Sequence, residues 1–320
     1  MQKNGQSKQS MKLLVNCDKL FLETKFDITV LKQLEYLKII HNDTFYCGNG
    51  WNDDLDTAVT KYRPNVILFA ADFSFNDWIL APKYKNIKKI MYMQDYWDDI
   101  DRRIEILDYG NFDALITKNN TGTELYKEKF PQLKFFINAS GFDNNIFYPT
   151  YVDKEHDILL CGILDEYRYP QRFRLANISK KLKDDIKVYT KPHCRWYKHL
   201  NDDPLERGQS TFAEYINKSK LVISGTALMG LYMQKTWEIS ACSSICVTDL
   251  NTNEPEYNLL KNHVKQIDLK LSDNDIADIL LYEVKNFNYD ITKKYNRVVN
   301  SYANLYHRTN QLFEIIRGLI

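Results

Sequence analysis

Lys235 and Glu238 stand three residues apart in the segment 221–249, LVISGTALMGLYMQKTWEISACSSICVTD. An apolar run, 221–223, enters the turn Ser224-Gly225-Thr226. A loop with Gly230 follows, then a short helical stretch carrying Lys235, Thr236 and Glu238. A second apolar run, 245–247, ends at Thr248-Asp249. This strand–loop–helix–strand unit puts one carboxylate beside the backbone amides of a helix start. Such a place suits a nucleotide diphosphate: amides and the helix dipole hold phosphate, and a carboxylate accepts from ribose hydroxyls. Glu238 lies among Trp237, Ile239 and Ala241, so it interrupts an apolar segment. A carboxylate there needs a partner. A ribose diol is one, and an internal Lys or Arg is the other.

The elements that position these groups are legible as two alternating series. In the first half, short apolar runs at 12–16, 44–47, 65–70, 89–93, 113–117 and 134–138 alternate with helix-length segments at 28–40, 53–62 and 122–130. In 28–40, Ile28, Leu31, Leu34 and either Leu37 or Ile39 share one face. The alternation predicts one doubly wound domain with a parallel sheet and helices on both faces. GFDNNIFYP, 141–149, followed by the polar stretch 150–155, reads as a linker. The alternation then restarts. A strand at 157–161 ends at Gly162, and a helix at 169–182 has Pro170 at its start. A strand at 186–189 precedes a helix opened by a capping box, Thr211 to Glu214. The two strands of 221–249, a strand at 264–267, and helices at 272–284 and 290–316 complete the series. The stretch 191–208 is a polar loop with aromatic insertions, either functional or a plain surface loop.

Composition excludes several classes. A chain of 320 residues is long for one core and predicts two domains. With 43 basic and 42 acidic residues, the net charge of +1 predicts no nucleic-acid partner. Three of the six cysteines, Cys47, Cys161 and Cys246, lie in or beside apolar runs as small hydrophobes. The spacing of the six suits neither a zinc site nor a disulfide framework, which predicts a reducing, cytoplasmic setting. The polar first ten residues read as a disordered tail without a signal-peptide core, and no run is long enough to span a membrane. The segment 28–40 carries only Lys32, Lys38 and Glu35, too few charges to indicate membrane association. Asp-x-Asp occurs at Asp54, Asp99 and Asp273, each at a helix start, and is read as chance rather than as a metal site. No Gly-x-Gly-x-x-Gly, Walker or Gly-x-Ser-x-Gly sequence is present, which argues against a dinucleotide oxidoreductase, a P-loop NTPase or a serine hydrolase. No cofactor is expected.

Four stretches carry a family resemblance. GFDNNIFYP is similar to a "G-V-D-x-x-x-F-x-P" junction, with Phe142 for Val. DILLCGILDEYRYPQRFRL, 157–175, reads as strand, Gly, then Tyr169-Pro170-x-Arg172 entering a helix. KTWEISACS, 235–243, is similar to "R-x-F-E-x-x-A-x-G", with Lys235 for Arg and Ser243 for Gly. YHRTNQLFEII, 306–316, loosely matches an "H-T-Y-x-x-R" ending. From Phe142 to Ile316 the chain resembles the group 1 glycosyltransferases of GT-B fold, and more narrowly their spore-maturation-protein-like branch. That group's first Glu falls at Gly230, and its Gly-Gly turn after the first strand is replaced by Asn16-Cys17-Asp18.

The resemblance implies an α/β GT-B architecture: two Rossmann-like domains facing across a cleft. The expected division is a tail at 1–10, an acceptor domain at 11–148, a donor domain at 149–300, and a C-terminal helix at 301–320 packing back on the first domain. It implies transfer of a sugar from a UDP- or GDP-sugar to a hydroxyl of a glycan or glycoconjugate, without metal and with retention. The leaving diphosphate must be neutralised, and an inverting enzyme also needs a base. Arg172, Lys191 and Lys235 are the candidate cations, each following a predicted strand of the second domain. A solvated helix charge is the alternative for Arg172, and an ordinary loop charge for Lys191. The donor-binding set is then Gly162, Arg172, Lys191, Ser224, Gly225, Thr226, Lys235, Thr236 and Glu238, with Asp95, Arg172 and Lys235 in catalytic roles. Asp95 follows the run 89–93 and reads as a base or acceptor-hydroxyl binder, while Asp98 and Asp99 read as helix caps. His41, the other candidate base, ends a predicted helix and reads as a surface residue. Two other readings stay open: a GT-B-like binding module that has lost catalysis, suggested by Gly230, and a nucleotide-sugar epimerase.

Overall fold

Leu13–Cys17 forms β1, and all five of its residues are buried. A strand buried on both faces is the mark of a parallel sheet covered by helices on each side. The computed structural model describes residues 10–19, 22, 28–71, 77–94, 96, 97, 99–190, 209–230, 233–249, 260 and 262–320. The chain divides into two compact units.

The first unit comprises residues 1–118, 125–138 and 309–320. Its further strands are β2 (Thr44–Cys47), β3 (Val66–Ala71), β4 (Lys88–Met93), β5 (Ala114–Thr117) and β6 (Lys134–Ile137). They lie in the order β2-β1-β3-β4-β5-β6, with every pairing parallel. Helix α1 (Ile28–Ile40) buries Val30, Leu31, Leu34 and Leu37 against this sheet, while Ile39 is 69% exposed. The apolar face therefore runs through Leu37. Helix α2 (Leu55–Tyr62) is N-capped by Asp54, whose side chain accepts from Thr57 N. Helices α3 (Ile100–Gly110) and α4 (Glu124–Lys129) follow. Asp99 precedes α3 with φ 52° and ψ 60° and makes no side-chain capping bond. The cap expected of it is absent because a capping side chain needs extended backbone to reach the N2 or N3 amide. Asp98 and Asp95 lie outside the described residues, as does most of the expected tail.

The second unit comprises residues 119–124 and 139–308. Strands β7 (His156–Leu160), β8 (Val188–Thr190), β9 (Ser219–Ile223), β10 (Ile245–Thr248) and β11 (Lys265–Gln266) form a parallel sheet ordered β11-β10-β9-β7-β8. The period of two divides its side chains between two cores. Ile158, Leu160, Leu221, Ile223, Ile245 and Val247 pack on α5 (Pro170–Lys181) and α8 (Asp273–Lys285). Leu159, Val222 and Cys246 pack with α6 (Gln209–Asn217), α7 (Lys235–Ala241) and α9 (Tyr289–Ala303). Phe142 and Phe147 of the 141–149 segment are fully buried in that second core.

Two local expectations are corrected. Thr211 lies inside the first turn of α6, which already includes Gln209 and Ser210, so it is not an N-cap. The helix expected at 290–316 is two helices, α9 and α10 (Leu305–Arg317). Asn304 separates them with extended backbone, φ −66° and ψ 158°. Its Oδ1 accepts from His307 N at 2.8 Å, capping α10. Phe142 bridges the break: its N donates to Ala303 O at 3.0 Å, and Leu305 N donates to its O at 2.9 Å. Leu312 and Ile316 of α10, with Leu319, belong to the core of the first unit.

Candidate functional site: the switch point of the second sheet

In the second unit the chain runs from β7 outward to β8, then returns to place β9 on the other side of β7. The loops after β7 and β9 therefore leave toward opposite faces, and the gap between them is where open α/β sheets bind ligands. The loop after β7 carries Gly162, with φ +89°. The loop after β9 is Ser224-Gly225-Thr226. Helix α5 opens beside both, with Pro170 in its first turn, where a missing N–H costs nothing.

Arg172, in that first turn, turns back beneath the two loops and is 2% exposed. Its Nη1 donates to Ile163 O at 3.4 Å and its Nη2 to Gly225 O at 3.2 Å. The guanidinium lies 4.3 Å from the Tyr169 ring centroid. Its Nε has no partner, and among the described residues no carboxylate pairs with it. Burial works against the charge and lowers the arginine pKa from its usual value. A buried cation hydrogen-bonded to carbonyls, with the Asp249 carboxylate acting on it from a distance, retains attraction for an anion.

Both glycines are required by this packing. A Cβ at Gly162 would lie 2.7 Å from Arg172 Nη1 and 3.6 Å from Lys235 Cε, and one at Gly225 would lie 2.6 Å from Arg172 N. Gly162, Arg172, Gly225 and Lys235 thus converge on one point. Lys235 opens α7 half-buried, with Nζ 5.7 Å from the Phe212 ring centroid and no carboxylate partner among the described residues. Ser224 N donates to Val247 O at 2.8 Å, while its buried Oγ has no partner. Glu238 is 5% exposed and accepts from Gln234 Nε2 at 2.8 Å, one helical turn earlier.

Two members of the expected set have their hydroxyls occupied within the protein. Thr226 N and Oγ1 donate to Asp249 Oδ1 and Oδ2 at 2.7 and 2.6 Å. Thr236 hydrogen-bonds the buried thiol of Cys246. Lys191 and Asp95 lie outside the described residues. His41 sits before β2, at the amino end of the strand and away from the carboxyl edge. Its ring lies 5.4 Å from that of Phe313, and its Nδ1 is 3.3 Å from Thr44 Oγ1. Sequence reasoning missed Asp249 and Tyr169 as parts of the assembly. The signal for Asp249 was its position directly after the run 245–248. A surface hollow between α5 and α8, lined by Glu166, Gln171, Arg174 and Asp273, is a separate place. There Arg174 is paired with Asp273 at 2.9 Å.

The fold is that of the GT-B glycosyltransferases, with a parallel sheet in each of two units. A sucrose-phosphate synthase from Thermosynechococcus elongatus is similar with a TM-score of 0.60 at 10% identity, over 97% of this chain and 99% of that one. A glycosyltransferase from Rickettsia africae matches with a TM-score of 0.59 at 12% identity, over 97% and 99%. Anabaena HepE, solved in complex with UDP-glucose, matches with a TM-score of 0.59 at 9% identity, over 97% and 100%. No protein-family model and no curated protein matches the sequence. Among the described residues, no helix is long and apolar enough to cross a membrane.

Proposed function

We propose that this protein is a glycosyltransferase that moves a sugar from a UDP- or GDP-sugar to a hydroxyl of a glycan or glycoconjugate, in the cytoplasm, without a metal and with retention. The observation that carries the reading is the convergence of Arg172 and Lys235, neither paired with a carboxylate among the described residues, on Gly162 at the switch point. A leaving diphosphate gains charge as the glycosidic bond breaks, so fixed cations act mainly on the transition state. In this reading Lys235 meets the diphosphate, and Arg172 supplies positive potential from beneath the glycine backbone. Gly162 and Gly225 let phosphate approach the main chain, Ser224 Oγ donates to it, and Glu238 accepts from the ribose diol. Thr226 and Thr236 hold the loop and the helix in place. Lys191 is a further diphosphate cation and Asp95 a binder of the acceptor hydroxyl. The motif Tyr169-Pro170-x-Arg172 supports reading the chain as similar to the spore-maturation-protein-like branch.

The test is a thermal-shift screen of UDP-, GDP-, dTDP- and CMP-sugars, since ligand binding raises stability by mass action. The nucleotide sugar that binds is then compared with its 2′-deoxy analogue in wild type and Glu238→Gln. A charge-assisted bond contributes about 1.5–3 kcal/mol, so Glu238→Gln should weaken the donor about 10- to 100-fold. The deoxy analogue should lose affinity for wild type and be nearly indifferent to the variant. Equal penalties in both proteins would remove Glu238 from the ribose, and no shift with any nucleotide sugar would remove the function.

A further inference from the structure

The first unit has a switch point of its own. Its chain passes from β1 outward to β2, then crosses back to place β3 on the other side of β1. The gap at the carboxyl ends of β1 and β3 is therefore this sheet's natural ligand position. Asn16, the one polar residue in the strand LLVNC, stands there and is fully buried. A primary amide in that place is costly unless bonded. Its Nδ2 donates to Asp77 Oδ2 at 3.0 Å and to Cys47 Sγ at 3.3 Å. The neighbouring carboxylate fixes which way the amide points, because the flipped amide would set two oxygens against each other. Asn16 Oδ1 is consequently a buried acceptor without a donor. Asp77 is half-buried, and among the described residues Asn16 is its only hydrogen-bond donor.

Asp77, the reachable member of this pair, suits a ligand that brings donors. Vicinal hydroxyls of a sugar supply them. We propose that Asp77, oriented by Asn16, is a hydroxyl-binding carboxylate for the acceptor sugar at the first unit's switch point. The role of that sugar as acceptor rests on the glycosyltransferase reading, but its binding does not. Asn16 is a positioning residue: it takes one carboxylate oxygen and leaves the other turned to the ligand.

The experiment is saturation-transfer NMR on the full chain with methyl glucosides, galactosides, mannosides and N-acetylglucosaminides as probes, and no donor present. Wild type should give transfer to at least one glycoside. Asp77→Asn, which keeps the side-chain size, should weaken its binding about ten-fold, as expected for loss of a charge-assisted bond. The variant should keep the wild-type melting temperature and the wild-type shift with nucleotide sugar. Asn16→Ala should raise the acceptor KM several-fold with the donor KM unchanged. Absence of glycoside binding to wild type, or equal binding by wild type and Asp77→Asn, overturns the assignment. Absence of nucleotide binding with glycoside binding retained would instead sink the glycosyltransferase reading and leave the Asp77 site standing.

Discussion

A methyl group on Gly162 would stand 2.7 Å from the Nη1 of Arg172. The backbone bend at Gly162, with φ +89°, and the buried guanidinium thus occupy mutually exclusive space with any larger residue. A turn that only glycine adopts comfortably has been placed over a cation, where a ligand can approach the main chain closely.

Three glycines of this region should separate by mechanism. Gly230→Ala meets no atom within 4 Å and pays only for φ +72°, about 1 kcal/mol. Gly225→Ala has normal φ but would put its Cβ 2.6 Å from the backbone N of Arg172, so α5 must move. Gly162→Ala combines strain with displacement of the guanidinium. Thermal unfolding should rank Gly230→Ala as mildest. Nucleotide-induced stabilisation should survive in Gly230→Ala and fall in the other two. Equal losses for all three would contradict the packing described.

Arg172→Met tests the unpaired cation. The variant loses the bonds to Ile163 O and Gly225 O, yet it relieves a buried charge. These effects oppose, so stability without ligand should change by less than about 1 kcal/mol. The thermal shift caused by a nucleotide sugar should fall sharply. Strong destabilisation with an intact ligand shift would make Arg172 purely architectural.

Thr226→Val keeps the shape but removes the hydroxyl that bonds Asp249 Oδ2. A carboxylate oxygen is then left buried without that donor, at a cost of about 1–3 kcal/mol. Denaturant unfolding should show this loss, and Thr226→Ser should recover most of it. If Thr226→Ser is no better than Thr226→Val, the hydroxyl bond is not what holds the loop.

Lys154 sets a pH dependence. Its Nζ donates to Asn217 O at 2.7 Å and Ser243 O at 2.6 Å, with the Phe287 and Tyr289 rings each 5.1 Å away. Ser243 Oγ is a third, longer acceptor at 3.3 Å, and burial pushes the Lys154 pKa down to about 7. The unfolded chain holds this proton up to the ordinary lysine range. Between about pH 7 and that range it binds more protons than the folded protein, so stability rises with pH. Lys154→Met should flatten this rise, read as melting temperature against pH. Parallel curves for wild type and variant would show that Lys154 stays charged in the fold.

Much of the layering is written locally. β2 coincides with the apolar run at 44–47, and α1 with the leucine-spaced stretch at 28–40, because burial on one face dictates both. The break at Asn304 carries no such mark: neither Gly nor Pro is present, and the feature that ends α9 is Phe142, far away in sequence. The convergence of Gly162 with Arg172 and Lys235 followed from their positions after strands. The depth of Arg172 did not, since arginine is ordinarily a surface residue. Asp77 is one carboxylate among 42 acidic residues, and only the crossing from β1 to β3 gives it a distinct place.

Leu312, Ile316 and Leu319 share a core with Leu13, Val15 and Leu34. This pairing has a consequence for biosynthesis. The strands of the first unit leave the ribosome before the second unit, but a wall of their core is translated only after it. Until then the unit carries an open apolar face while the whole second unit is made, and such faces invite aggregation. A premature stop before α10 should therefore damage a unit made earlier, and the nascent chain has reason to engage a chaperone until that helix arrives.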